Sequence, residues 1–267
     1  MTKERSAVVT VAFGHSTEHL DYTFLSFAER NPQLQLHAFI LGDRLPTRRL
    51  PQIEYHLSAP IPDFSHPLRE VYFRRMALID ELDIDFALVV DSYDVLCLQP
   101  LPPFNELLSE CAVAGAVEHL GCRYVMGQGY TANFLNCGVM FWNVPGSRDI
   151  RKEIVARGKS RFRMVADDQL AVNEVIQTKY YDRLRILPCQ YNYRGYLKKK
   201  QRGWPTVQHL DGVVIYHNST CMEGAKALRP VRARAALPEL TPDGQPLSRR
   251  EQFWRSLRQR LIPWVVR

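Results

Sequence analysis

The sequence has no Cys-x-x-Cys pair, although it holds six cysteines, Cys97, Cys111, Cys122, Cys137, Cys189 and Cys221. Short-spaced dithiol and zinc motifs are therefore absent. Cys97, Cys111, Cys137 and Cys189 sit among apolar residues, as reduced core cysteines of a cytosolic protein do. There is no Gly-x-Gly-x-x-Gly, so the dinucleotide fingerprint is missing. No window approaches ~20 uninterrupted apolar residues. The opening MTKERSAVVTVAF lacks the apolar region of a signal peptide, so neither secretion nor a membrane span is expected. Repeats and low-complexity tracts are absent, which argues against a solenoid or an extended disordered chain. Net charge is also missing from residues 1–225, which hold 25 basic and 25 acidic side chains, while ten basic against three acidic residues from Lys226 to Arg267 carry the whole excess of +7. A neutral body offers no basic groove for nucleic acid.

What is present is ample apolar material, 46% of 267 residues, enough for one large domain with an appendage. The organising stretch is Phe86 to Leu98, FALVVDSYDVLCL. Five apolar residues run unbroken into Asp91, and a second acid follows at Asp94. Such a run reads as a buried strand delivering two carboxylates to its C-terminal end, the edge where ligands bind in open α/β sheets. Two acids on one turn suit a hard divalent cation with positions left for phosphate oxygens. A solvated turn is the plainer reading of two nearby acids, so the other stretches decide between them.

Ala7 to Phe13 reads as a first buried strand. A helix with Leu20, Phe24 and Phe27 or Ala28 on one face follows, then a strand from Leu34 to Leu41. This β-α-β opening is expected of a nucleotide-binding half. Residues 43–67, rich in proline, arginine and polar groups, are expected to form an irregular excursion. Leu68, Val71, Arg75, Leu78 and Leu82 have helical spacing, which brings Arg74 or Arg75 towards the same sheet edge. Residues 111–119, CAVAGAVEH, read as a small-residue strand, residues 121–131 as a glycine-rich loop, and Asn133 to Val144 as a strand marked by Asn133, Asn136 and Asn143. Ser147 is placed to cap a helix through Arg157. Asp167 and Asp168 open another, where one acid satisfies the helix dipole but that role does not account for both. A strand from Leu184 to Leu187 and another from Val213 to Tyr216 follow, the second ending at His217, whose imidazole suits either a structural contact or a metal site.

Four ordered motifs, VVDSYDVL at 89–96, FLNCGVMFWNV at 134–144, ADDQLAVN at 166–173 and VVIYHNS at 213–219, resemble the nucleotide-diphospho-sugar transferases of the GT-A fold. The match is to glycosyltransferase family 8 and the related collagen hydroxylysine glucosyl- and galactosyltransferase domains, over roughly residues 6–226. The Asp-Ser-Tyr-Asp at 91–94 is similar to the collagen-modifying form rather than to a plain Asp-x-Asp. The resemblance implies an α/β GT-A, Rossmann-like mixed sheet flanked by helices. It implies that Asp91, Asp94 and His217 hold Mn²⁺ or Mg²⁺ against the diphosphate of a UDP-sugar, neutralising charge on the leaving UDP. By the same resemblance Tyr93 lies against uracil, Thr10 and Ala12 meet the base through backbone groups, and Arg75, or Arg74 if the helix register is shifted, contacts the nucleotide-sugar. Asn136, Asp167 and Asp168 would hold donor-sugar hydroxyls at the catalytic centre, where polar pairing discriminates between sugars. Family 8 often has glutamine at the position of Asp167 and transfers with retention, so an acid there leaves the intermediate open.

The expected domains are a GT-A unit at 1–226 and a basic tail at 227–267. Within the tail, SRREQFWRSLRQRLIPWVVR at 248–267 places Phe253, Leu257 and Leu261 every fourth residue, adds Trp254 and Trp264, and surrounds them with arginines, the pattern of a helix lying on an anionic surface. The plainer alternative is a terminal helix docked on protein. Together these readings predict a glycosyltransferase moving glucose or galactose from a UDP-sugar to a hydroxyl of a glycan or glycolipid of the cell envelope, such as lipopolysaccharide. The enzyme would be cytoplasmic and peripheral to the inner membrane face, with no nucleic-acid partner. A catalytically silent sugar-nucleotide-binding module and a basic-tailed nucleic-acid adaptor are the rival readings.

Overall fold

The computed structural model describes residues 4–13, 20–47, 49–59, 67–92, 95–117, 123–125, 129–131, 133–161, 167–193 and 212–217. Its centre is the predicted strand β4 (Phe86–Val90). Among the described residues β4 lies inside a seven-stranded sheet of order β10-β6-β9-β4-β1-β2-β3. The members are β1 (Ser6–Phe13), β2 (Gln35–Leu41), β3 (Ile53–Ser58), β6 (Val113–Val117), β9 (Leu135–Asn143) and β10 (Leu184–Leu187). All neighbours pair in parallel except β9, which runs antiparallel to both β4 and β6.

Alternation along the strands divides the core into two layers, because successive side chains leave opposite faces. Val9, Val11, Val89, Met140 and Trp142 pack on one face with residues from α2 (Pro67–Leu78), α4 (Arg148–Arg161) and α5 (Asp167–Lys179). Val8, Leu88, Val90, Val139 and Phe141 pack on the other with α1 (Leu20–Arg30) and α3 (Phe104–Leu108). Both faces are covered, which is why β4 reads as an unbroken apolar run and β9 as an apolar strand interrupted by Asn136. Two short antiparallel pairs stand apart from the main sheet: β5 (Val95–Cys97) with β11 (Ile215–His217), and β7 (Arg123–Val125) with β8 (Gly129–Thr131).

One buried cation fastens the helical layer that carries Arg75. Arg151 of α4 is 1% exposed and donates to the carbonyls of Met76 at 2.9 Å and Val144 at 2.5 Å, and to Asp80 Oδ1 at 2.8 Å. Buried carbonyls at a helix end need such donors. No helix among the described residues is long and apolar enough to cross a membrane.

The structure corrects four expectations. The stretch 43–67 contains β3, an edge strand in which only Ile53 is buried, so its sequence lacks the apolar signature of the inner strands. The loop expected at 121–131 contains the β7–β8 hairpin. The helix after Ser147 continues to Arg161, and the Ser147 hydroxyl donates to the Asn143 carbonyl and accepts from Arg151 Nε. Of the four cysteines assigned to the core, Cys97 and Cys137 are buried, whereas Cys111 is half-buried and Cys189 is exposed; all four are free thiols. Burial pushes the Cys97 thiol up to about 12, as it does any thiol denied solvent. The tail, with the helix expected at 248–267, lies outside the described residues.

Candidate functional site

The C-terminal end of β4 delivers Asp91, and the backbone of β9 fixes where it stands. Asp91 N donates to the Gly138 carbonyl at 2.9 Å. Thr10 Oγ1 donates to the Val90 carbonyl at 2.7 Å from a fully buried position, tying the same strand end to β1. Beyond Val9 the ladder between β1 and β4 stops, while β1 continues to pair with β2 as far as Phe13. Thr10 and Ala12 thus lie where β1 keeps a partner on one edge only, among the described residues.

Around Asp91 the chain assembles a continuous polar network. Arg75, 3% exposed on α2, donates to Asp91 Oδ1 at 2.5 Å and to Asp168 Oδ2 at 2.7 Å. On the other side His217 Nε2 faces Asp91 Oδ2 at 3.2 Å. His217 Nδ1 is 2.8 Å from Asn192 Oδ1, and Asn192 Nδ2 donates to Asn136 Oδ1 at 2.9 Å. Asn136 Nδ2 donates in turn to Gln169 Oε1 at 3.1 Å, and the Gly138 and Cys137 amides donate to the Asn136 and Gln169 side chains. Residues from α2, β4, β9, α5 and β11 thereby meet at one rim of the sheet.

Burial and charge pull the two carboxylates apart in proton affinity. Burial alone would push Asp91 up, but the Arg75 guanidinium and the His217 hydrogen bond outweigh it and hold Asp91 well below the usual carboxylate range. At Asp168 burial wins over the attraction of Arg75, with help from the negative charge of Asp91, and the carboxyl is raised. Burial disfavours the charged Arg75, yet the two acids more than compensate and raise it. One cation thus faces two acids, and the trio carries surplus negative charge whenever both are ionised.

The donor set fits a divalent cation. An amide oxygen can only accept, so Asn192 Oδ1 takes the proton on His217 Nδ1, and Nε2 is the ring nitrogen left to face Asp91 Oδ2. A proton on Nε2 or a cation can bridge the two, and their 3.2 Å separation suits two ligands of one cation with metal–ligand distances of about 2.1 Å. Gly138 leaves room for this pair. A β-carbon there would fall 2.1 Å from His217 Cε1 and 2.5 Å from Asp91 Oδ2.

Five of the sequence-assigned residues, Asp91, Arg75, Asp168, Asn136 and His217, therefore lie in one network. Tyr93 and Asp94 lie outside the described residues, as does the side chain of Asp167, the first residue of α5. Val95, the first residue of β5, pairs with His217 across β5 and β11. Gly138, Gln169 and Asn192 were not assigned from sequence. A small residue inside an apolar strand is the signal that marks Gly138; Asn192 has no comparable signal.

No protein-family model matches the chain, and no curated protein matches it by sequence. Solved structures do. An active-site mutant of LgtC matches with a TM-score of 0.60 and 16% identity over 87% of this chain and 98% of that one. The galactosyltransferase LgtC in complex with donor and acceptor sugar analogs matches with a TM-score of 0.59 and 17% identity over the same shares. The bifunctional glycosyltransferase WbbM in its apo form matches with a TM-score of 0.55 and 12% identity, over 81% of this chain and 46% of that one. These similarities show the fold, a GT-A, Rossmann-like mixed sheet flanked by helices.

Proposed function

We propose that this chain is a glycosyltransferase that moves a hexose, glucose or galactose, from a UDP-sugar to a hydroxyl of a glycan or glycolipid acceptor. The observation that carries the reading is Asp91 facing His217 across Gly138 at the end of β4. LgtC, with the same fold, has been solved with donor and acceptor sugar analogs, which supports this reading.

In this reading Asp91 and His217, with Asp94, hold Mn²⁺ or Mg²⁺. Bound there, the ion would supply electrophilic stabilisation of the diphosphate as UDP leaves the sugar. The remaining residues orient. Asn192 fixes the tautomer of His217, as outer partners of metal-binding histidines do. Arg75 keeps Asp91 ionised and turned to the rim. Asn136, Asp168 and its sequence neighbour Asp167 are assigned to the donor-sugar hydroxyls, where a site built from polar groups rejects a sugar lacking the matching hydroxyl. Tyr93 and the β1 edge at Thr10 and Ala12 are assigned to the base. Transfer with retention is proposed on the sequence resemblance, and attachment to the inner membrane face on the arginine and tryptophan pattern of residues 248–267.

The deciding experiment is a panel of UDP-sugars incubated with the full chain and Mn²⁺, read as UDP release. One UDP-hexose should be turned over, EDTA should stop it, and Asp91→Asn should lower the rate at least 100-fold. Calorimetric binding of UDP with no turnover of any UDP-sugar would replace the enzyme with a silent binding module. No binding at all would overturn the site.

A further inference from the structure

A second cluster of metal-binding groups lies on the outer strands of the sheet. His37 of β2 and Glu54 of β3 are register partners, and His56 follows Glu54 by two residues. Residues paired across strands and residues two apart along a strand share a face, so all three side chains project on one side. His37 Nδ1 and His56 Nε2 are 3.0 Å apart. Glu54 brings one oxygen to 3.5 Å from His37 Nδ1 and the other to 3.7 Å from His56 Nε2. The three ligand atoms all lie within 4.8 Å of one another.

The surroundings prepare both rings. Gln35 Oε1 lies 3.2 Å from His37 Nε2 and, as an acceptor, takes its proton. That leaves Nδ1 as a lone pair aimed at His56 and Glu54, the arrangement in which an outer oxygen sets the tautomer of a metal-binding histidine. Phe39 stacks on His56 with centroids 4.6 Å apart and limits its rotation. Ligand atoms of a tetrahedral zinc site stand about 3.3 Å apart at metal–nitrogen distances of about 2.0–2.1 Å, close to the spacing of these three groups.

We infer that His37, His56 and Glu54 form a second cation site, for Zn²⁺ or a similar late transition ion such as Co²⁺. Two imidazoles and one carboxylate favour those ions over Mg²⁺ and Mn²⁺. The site is separate from Asp91, because β1 lies between β4 and β2 in the sheet. Its effect is mechanical: an ion there ties the edge strand β3 to β2, and an ion that binds only the folded chain raises its melting temperature. Without the ion, the proton of His56 Nε2 occupies the position between the rings.

The test uses the full chain stripped of metal and titrated with Zn²⁺ alone, in excess Mg²⁺ to fill the oxygen-rich site at Asp91. One equivalent should bind, raise Tm, and give a tetrahedral visible absorption band when Co²⁺ replaces Zn²⁺. His56→Gln should lose that equivalent and the band, while keeping its UDP-sugar turnover with Mn²⁺. Glu54→Gln, altered at an exposed side chain, should weaken binding at least tenfold and decides the matter alone if His56→Gln does not fold. Absence of a Mg²⁺-resistant equivalent in the unaltered chain would overturn the site, as would equal Zn²⁺ affinity in the unaltered chain and Glu54→Gln.

Discussion

His217 Nε2 and Asp91 Oδ2 face each other at 3.2 Å over the backbone of Gly138, in space that any β-carbon at residue 138 would fill. Gly138→Ala should therefore displace the imidazole or the carboxylate, because contacts of 2.1 and 2.5 Å cannot be kept. We expect a loss of about 1–3 kcal/mol in stability from overpacking and a fall of at least 100-fold in metal-dependent turnover. Gly115→Ala is the matched control, since its β-carbon would meet nothing closer than 3.6 Å. Equal kinetics for the two variants would show that the facing pair is not part of the reaction centre.

Arg75 is the counter-charge for the buried Asp168 and the half-buried Asp91, so its removal should hurt more than the loss of either acid. Arg75→Met leaves Asp91 and Asp168 without their cation, a change that costs about 3–5 kcal/mol when a buried pair loses one partner. Asp168→Asn keeps a hydrogen-bonding group beside Arg75 and leaves the Asp91 ion pair in place, and should be the milder variant. Urea unfolding of both checks the order. A midpoint for Arg75→Met equal to that of the unaltered chain would mean that solvent screens this cluster.

Much of this was legible in the sequence for a physical reason. A strand covered on both faces must be apolar throughout, which exposed Phe86 to Val90 as a unit and placed Asp91 at its end. Arg75 was legible as a charged residue on an apolar helical spacing. The edge strand β3 was not, because one neighbour and a solvent-facing side leave Glu54, His56 and Ser58 polar. Asn192 and Gln169 were not legible either, since each acts only through contacts made by distant elements. Their roles follow from convergence of the chain in space rather than from local pattern.

Residues 248–267 carry the membrane proposal, motivated by five arginines around Phe253, Leu257 and Leu261 with Trp254 and Trp264. Each basic residue near an anionic surface adds about 1 kcal/mol, a contribution that salt weakens. Truncation after Leu247 should release the protein from anionic vesicles in a co-sedimentation assay, and raised salt should partly do the same to the full chain. Undiminished sedimentation of the truncated chain would remove the tail from the membrane.

Acid stability should depend in part on a pair far from the rim. Arg183 of the turn before β10 donates to Asp149 of α4 at 2.7 and 3.2 Å, and this bonding, opposed slightly by burial, holds the Asp149 carboxyl below its ordinary 3.8. A depressed carboxylate stabilises the fold at pH values above the unfolded-state value, and that contribution is lost as pH falls through the lower folded-state value, because the unfolded chain takes up the proton first. Arg183→Met removes the cause of the depression and should make Tm fall less steeply as pH drops below the ordinary carboxylate value of 3.8. The pair is largely exposed, so the change should be small and should shrink further in high salt. Parallel acid limbs for Arg183→Met and the unaltered chain at low ionic strength would assign the acid sensitivity of the fold to other carboxylates.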